Sequence, residues 1–239
     1  MKNQILNELT YKGIFVNDQL LNETDKDNLK KDFEIKKNSE TFKINNDLEI
    51  RKISKTLFEF LQRDYVKNSI YEYFGTEFKC STILFTRTKP EIKKNDSDNI
   101  FAGSLLGFHN DDKGKQIKIN ILLSDLSKDS NGLEYAILSH KISLIDRYII
   151  SMFRIFGFFK KWNKHFINYQ KNKFQGRRVN FMTEKEVKKK FDILKVYGKS
   201  GLVYIFDTNG FHRQGSVNLE SILEEERELI TVYFDPKNN

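Results

Sequence analysis

Residues 201–212 read GLVYIFDTNGFH, a strongly β-forming run that ends in a turn and a histidine. Valine, tyrosine, isoleucine and phenylalanine dominate its first half, as is typical of a strand, and Asp-Thr-Asn-Gly is a turn signal. A second clear strand, residues 228–234, reads ELITVYF. These two stretches predict that the C-terminal part of the sequence forms a β-sheet.

The rest of the sequence adds both strands and helices. The first eighty residues favour helices, because Asn22 offers a cap and apolar residues recur three to five apart over 47–74, predicting one or two amphipathic helices. Further strand signals cover 14–16, 80–86, 104–109, 116–123 and 133–138. We therefore predict a mainly β protein with flanking helices, of the α+β class.

The segment 143–191 does not have the pattern of a sheet. Its apolar residues between 145 and 159 lie on one helical stripe with basic residues around it, which favours a helix packed on the sheet. A lid over a substrate pocket and an interfacial helix that touches a membrane through 145–162 are the other two interpretations. The run is too short to span a bilayer and Arg154 interrupts it.

We expect one domain over residues 1–239. Its parts are an N-terminal helical support (1–79) and a β core (80–236), with a helical insertion at about 143–198. The chain is long enough to bury a sizeable core.

Composition excludes several classes of protein. With 38% hydrophobic residues the chain is globular, and its single cysteine, Cys80, excludes a disulfide framework and a cysteine zinc site. No signal peptide is visible, so we expect a reducing, cytoplasmic location.

The net charge of +8 comes from lysines scattered through the sequence. We expect no nucleic-acid partner, because such binding requires positive charge concentrated on one face.

Two of the four histidines stand where a metal site needs them. His109 and Asp111 are two residues apart at a strand end, so their side chains share a face. His212 follows 103 residues later, after the strand quoted above. Two imidazoles and one carboxylate form the facial triad of non-haem Fe(II) oxygenases. An isolated His-x-Asp motif is weak evidence for a metal site, and the alternative is that His109 is an ordinary loop histidine. Arg227, at the start of the last strand, is suited to clamp a carboxylate.

Several linked motifs together resemble the phytanoyl-CoA dioxygenase family. They are residues 11–16, 109–111, 118–126, 131–135, 139–140 and 205–215, followed by Arg227. The resemblance covers most of the sequence in order, with 143–198 outside it.

The resemblance implies a double-stranded β-helix, a cupin-like jelly roll, that binds Fe(II), 2-oxoglutarate and O₂. His109, Asp111 and His212 would be the catalytic iron ligands, and Arg227 would bind the distal carboxylate of 2-oxoglutarate. The 15-residue gap from His212 to Arg227 is longer than usual in the family, which makes Arg213 an alternative.

Strand alternation suggests two further cosubstrate-binding residues. In 117–121 the isoleucines share one face, so Lys118 and Asn120 share the other and are expected to face the cavity. The alternative for Lys118 is a solvent-exposed rim.

Other candidates are assigned supporting roles. Asn110 is either a site residue or a turn residue, and His140 is expected to be structural or to support the site. His165 is expected at the surface. Asp112, three residues from His109, would point to the opposite strand face, and Asp207 would brace a turn.

The sequence thus predicts a 2-oxoglutarate-dependent non-haem iron hydroxylase that releases succinate and CO₂. An aspartate at the carboxylate position favours hydroxylation over halogenation, because no coordination position is left for halide. The substrate would be a small molecule, lipid or sugar. An inactive jelly-roll binding module, a basic nucleic-acid-binding protein and a cupin isomerase are the alternatives.

Overall fold

The computed structural model describes residues 1–36, 40–88, 108–111, 115–141, 184–215 and 226–237. Its helices are α1 (Lys2–Lys12), α2 (Glu23–Ile35), α3 (Asp47–Ile53), α4 (Lys55–Leu61), α5 (Asp64–Phe74) and α6 (Glu184–Lys190), with a 3₁₀ helix at Ser139–Lys141. Its strands are β1 (Ile14–Asn17), β2 (Glu40–Lys43), β3 (Phe78–Thr88), β4 (Ile117–Leu122), β5 (Leu133–Ala136), β6 (Ile193–Lys195), β7 (Val203–Asp207), β8 (His212–Gln214) and β9 (Arg227–Pro236).

The strands form two antiparallel sheets. The larger has six strands in the order β1-β7-β4-β9-β3-β2, and the smaller has three in the order β6-β5-β8. The β9 strand, last in sequence, thus lies near the centre of the larger sheet, between β4 and β3. The prediction of a mainly β protein with flanking helices is confirmed at this level.

One face of the larger sheet packs on the N-terminal helices. Ile117, Ile119 and Ile121 of β4 join a buried cluster with Leu9 of α1 and Ile70 of α5. This arrangement follows from the period-2 pattern of β4, because alternate side chains lie on opposite faces of a sheet. The isoleucine face therefore packs on the helices, as the sequence predicts.

The opposite face of the larger sheet meets the smaller sheet. Tyr204, Phe206 and Leu229 of the larger sheet form a second buried cluster with Leu133 and Tyr135 of β5. Lys118 and Asn120 point to this side, since they alternate with the isoleucines, and both are buried. The space between the sheets is thus lined partly by polar side chains.

Two sequence predictions differ from the structure in detail. The stretch 47–74 forms three helices, because Ser54 caps α4 by accepting a hydrogen bond from the Leu57 amide and so ends α3. The range 143–198 contains the strand β6 at its C-terminal end, paired with β5. The helix predicted at 145–162 and His165 fall within residues 142–183, which lie outside the described residues. None of the described helices is long and apolar enough to cross a membrane.

Cys80 is expected to be chemically inert in the folded protein. It is buried on β3, and burial raises the pKa of its thiol to about 12. Since the thiolate is the reactive form, alkylation by iodoacetamide at pH 8 should be at least about 100-fold slower in the native protein than in urea. Equal labelling rates in the two conditions would show that this part of β3 opens readily.

Candidate metal centre

Three side chains from two distant parts of the sequence lie close together. His109, Asp111 and His212 each offer one ligand atom, and these atoms all lie within 4.8 Å of one another. The His109 and His212 rings lie 4.6 Å apart between centroids, and both residues are buried. Two imidazoles and a carboxylate at this spacing are a donor set suited to a divalent transition metal.

Main-chain hydrogen bonds fix the relative position of the three residues. The His109 amide donates to the His212 carbonyl at 2.9 Å, and the His212 amide donates back to the His109 carbonyl at 2.8 Å. The Asp111 amide donates to the Thr208 carbonyl at 3.0 Å. The site is therefore held by the backbone rather than by flexible side chains alone.

The His212 ring is oriented for metal binding. Its Nδ1 lies 2.9 Å from the Gly210 carbonyl oxygen. Because a carbonyl only accepts, Nδ1 must carry the hydrogen, which leaves the lone pair on Nε2. Nε2 in turn lies 3.9 Å from Asp111 Oδ2. A backbone acceptor on the other ring nitrogen is the usual support of a metal-binding histidine.

The Asp111 carboxyl is held ionised by its surroundings. Burial alone would raise its pKa, but the Lys118 ammonium and the His212 and His109 rings outweigh burial and hold the pKa well below its usual range. Lys118 Nζ lies 2.5 Å from Asp111 Oδ2 and 4.9 Å from the centre of the Tyr233 ring. Lys118 is therefore buried beside Asp111 rather than exposed at a solvent-facing rim.

Arg227 is a second buried group near the cluster of His109, Asp111 and His212, and it carries a positive charge. It is 8% exposed, and its guanidinium donates from Nη1 to the Asn131 carbonyl at 2.8 Å and from Nη2 to Gln214 Oε1 at 3.3 Å. Within the described ranges no carboxylate forms an ion pair with it, and its Nε has no acceptor. Burial lowers the pKa of this guanidinium, yet an arginine remains charged in proteins. A buried guanidinium with only neutral partners has the environment expected of a residue that binds an anion.

Gln214 connects Arg227 to the strand that carries His212. It is two residues from His212 on β8, so the two side chains lie on the same face of the strand about 7 Å apart. This spacing would allow a short dicarboxylate to reach from His212 to the Arg227 guanidinium beside Gln214.

A polar row lies on the face of the larger sheet that carries Lys118. Asn120 on β4 pairs in register with Tyr204 on β7 and with Thr231 on β9, so the three side chains share one face. Asn120 donates a hydrogen bond to the Tyr204 hydroxyl, whose pKa is raised by burial. The Asn120 Oδ1 atom has no partner among the described residues. This row continues the polar lining from Lys118 towards Arg227.

The structure gives Arg213 a different partner. Its guanidinium donates to Glu134, with Nη2 2.6 Å from Oε2, and lies 4.4 Å from the centre of the Phe108 ring. Its charge is therefore neutralised within the protein. Of the two arginines considered from the sequence, Arg227 has the environment of an anion-binding residue.

The other residues considered from the sequence make contacts that support the fold. His140 lies in the 3₁₀ helix, with Nε2 3.2 Å from the Thr10 carbonyl oxygen, and Asn110 is fully buried beside the ligand residues. Asp207 does brace a turn, by accepting a hydrogen bond from the Asn209 amide. Asp112 lies outside the described residues.

Sequence reasoning missed the two partners of Arg227. Gln214 could have been found, because it follows His212 by two residues in a β-forming stretch and so shares its face. Asn131 contributes only its carbonyl oxygen, and its side chain carries no signal for that role.

Comparison with solved structures identifies proteins of the same fold. AviO1 from Streptomyces viridochromogenes Tue57 superimposes with a TM-score of 0.59 at 12% identity, covering 100% of this chain and 97% of AviO1. HygX from Streptomyces hygroscopicus with nickel and 2-oxoglutarate bound gives 0.57 at 12% identity, covering 99% and 88%. The epimerase SnoN, in complex with Fe³⁺, α-ketoglutarate and nogalamycin RO, gives 0.57 at 10% identity, covering 98% and 83%.

No protein-family model matches the sequence. No curated protein matches it either. At these identities the likeness shows the fold, and the narrower resemblance to the phytanoyl-CoA dioxygenases stays a prediction. The chain has the fold of non-haem, α-ketoglutarate-dependent enzymes.

Proposed function

We propose that the protein is an Fe(II)- and 2-oxoglutarate-dependent oxygenase that hydroxylates a small molecule, lipid or sugar. Its fold would be the double-stranded β-helix of the phytanoyl-CoA dioxygenase-like enzymes. The observation that carries the proposal is the juxtaposition of a His109–Asp111–His212 cluster with the buried guanidinium of Arg227. The two features together fit a metal and a chelating dicarboxylate, which neither feature would indicate alone.

The three cluster residues would hold the metal. The donor set, the ionised Asp111 and the fixed His212 tautomer all suit Fe(II). With 2-oxoglutarate and O₂, the bound iron would supply the oxidising chemistry, giving the hydroxylated product, succinate and CO₂. The protein's own part is to hold the ligands, orient the organic groups and exclude water.

Arg227 would bind the distal carboxylate of 2-oxoglutarate. Its buried Nε supplies a free donor, while Gln214 and the Asn131 carbonyl fix the plane of the guanidinium. Lys118 and Asn120 would line the path of the same molecule, because they point into the cavity between the metal cluster and Arg227. The Asn120 Oδ1 atom would remain available to a hydrogen-bond donor of the substrate.

The metal assignment can be tested without knowing the substrate. Anaerobic protein with Fe(II) and 2-oxoglutarate is expected to show the weak visible charge-transfer band of the chelate. The His212→Ala and Asp111→Ala variants should lose the band, because each removes one of three ligands. His140→Ala is the matched control, since it removes another histidine, bonded to the Thr10 carbonyl, from outside the cluster.

Two outcomes would contradict the proposal. A band that survives in both ligand variants would place the metal elsewhere. Absence of any band in the wild-type protein, with no metal bound, would favour the inactive binding module. Succinate formation across a panel of lipids, sugars and small aromatic compounds then identifies the substrate class. SnoN and SnoK are an epimerase and a carbocyclase, so products should also be analysed for isomerisation and ring closure.

A further inference from the structure

The turn that joins β7 to β8 contacts two of the three proposed metal ligands. We call residues 207–211 the ligand turn. The Thr208 carbonyl accepts the Asp111 amide, and the Gly210 carbonyl lies 2.9 Å from His212 Nδ1. A shift of this turn would move the Asp111 backbone and rotate the His212 ring together.

Asp207 fixes the shape of the ligand turn. Its side chain is buried, and Oδ1 accepts the Asn209 amide at 2.8 Å. Its own carbonyl accepts the Gly210 amide and the Tyr135 hydroxyl, each at 3.1 Å. The Thr208 amide donates to the Gln116 carbonyl at 3.0 Å. The buried carboxylate of Asp207 thus lies at the first residue of a turn that is held by several hydrogen bonds.

The other oxygen of this carboxylate is bound by the helical layer. The Tyr73 hydroxyl of α5 donates to Asp207 Oδ2 at 2.5 Å, across 134 residues of sequence. Lys115 holds the tyrosine in place, since its ammonium donates to the Tyr73 carbonyl and lies 4.4 Å from the centre of the ring. Burial raises the pKa of the Asp207 carboxyl and the Tyr73 hydrogen bond opposes that shift, so the hydroxyl stabilises the ionised form.

We infer that Tyr73 and Asp207 are positioning residues of the metal centre. Through one hydroxyl–carboxylate contact, α5 sets the ligand turn and with it the His212 ring and the Asp111 backbone. This inference rests on the proposed metal site and extends it to a helix outside the two sheets. Groups that support metal ligands typically change metal affinity 10- to 100-fold when they are removed.

The test measures Mn(II) affinity and the visible spectrum of the Co(II)-loaded protein. Tyr73→Phe removes only the hydroxyl, and we expect Mn(II) binding about 10-fold weaker with a shifted Co(II) spectrum. Tyr65→Phe is the matched control. Tyr65 is also a half-buried tyrosine of α5, and its hydroxyl contacts Arg63 and the Leu20 carbonyl, away from the site. Tyr65→Phe should keep Mn(II) affinity within about twofold, even where its melting temperature falls.

Asp207→Asn provides a second variant of nearly unchanged shape. It leaves one acceptor oxygen for two donors, the Tyr73 hydroxyl and the Asn209 amide, and we expect it to weaken Mn(II) binding as Tyr73→Phe does. The double variant should lose less affinity than the two single variants added together, because both changes act on the same Tyr73–Asp207 contact. Wild-type Mn(II) affinity and Co(II) spectra in both single variants would overturn the inference. If wild-type protein binds no Mn(II), or binds it equally after His212→Ala, the proposed function itself fails.

Discussion

Replacing Arg227 by methionine is expected to abolish 2-oxoglutarate binding while raising the melting temperature. The guanidinium is buried against neutral partners, and among the described residues its Nε has no acceptor, so its desolvation is poorly compensated. Replacing such buried charge by an apolar side chain of similar volume is often stabilising by about 1–2 kcal/mol. For a protein of this size that corresponds to a rise of about 2–8 °C.

The binding loss should be large because the carboxylate would face an uncharged cavity wall. Truncating one partner of a buried charge pair costs about 2–5 kcal/mol, so we expect 2-oxoglutarate affinity at least about 30-fold lower. Calorimetry with the Ni(II)-loaded protein measures the affinity, and differential scanning calorimetry measures the melting temperature. A variant that melts lower and binds 2-oxoglutarate normally would contradict both parts of the argument.

Arg213→Met is the matched control because it removes the other buried arginine near the site. Arg213 is ion-paired with Glu134, whose side chain is only 14% exposed. Removing the arginine leaves this carboxylate unpaired, and we expect a loss of about 3 kcal/mol in stability. Its effect on 2-oxoglutarate affinity should be small. If Arg213→Met loses binding and Arg227→Met does not, Arg213 is the cosubstrate ligand.

Gly132→Ala is expected to lower the free energy of unfolding by about 3 kcal/mol. A Cβ at this position would lie 2.0 Å from the Val196 carbonyl oxygen, which belongs to the backbone and cannot rotate away. The Gly132 carbonyl also accepts the Gly215 amide. Relief of the clash would push apart the chain segments that flank β5, at the cost of several hydrogen bonds.

The same substitution should weaken 2-oxoglutarate binding, because Asn131, the preceding residue, holds Arg227 through its carbonyl. Urea unfolding and calorimetry measure the two effects. Gly75→Ala is the control: a Cβ there meets nothing within 4 Å, and only the positive φ of 69° is unfavourable, worth about 1 kcal/mol. Equal losses in the two variants would show that the close approach at Gly132 is unimportant.

The sequence predicts the central elements well because their patterns are local. Strands β4, β7 and β9 are rich in β-branched or aromatic residues, and the alternation in β4 placed Lys118 and Asn120 on the face opposite the isoleucines. The proximity of His109, Asp111 and His212 followed from their places at strand ends. These features depend on the alternation of apolar and polar residues and on the residue types, both of which can be seen in a single sequence.

Other features depend on tertiary contacts that no local pattern encodes. Strands β6 and β8 have three residues each, too few for a period to be visible. The Tyr73–Asp207 contact joins residues 134 apart. The separation of α3 from α4 was visible in principle, since Ser54 is a typical N-cap residue.

The central position of β9 also constrains when the protein can fold during synthesis. A nascent chain that has emerged only as far as residue 226 has β4 and β3 available but lacks the strand that lies between them. Both neighbours would expose unpaired backbone groups until β9 leaves the ribosome. The His109–His212 pairing likewise joins residues that are 103 positions apart. The N-terminal helices can therefore form early, whereas the proposed metal centre and Arg227 come together only late, in a step that depends on long-range pairing.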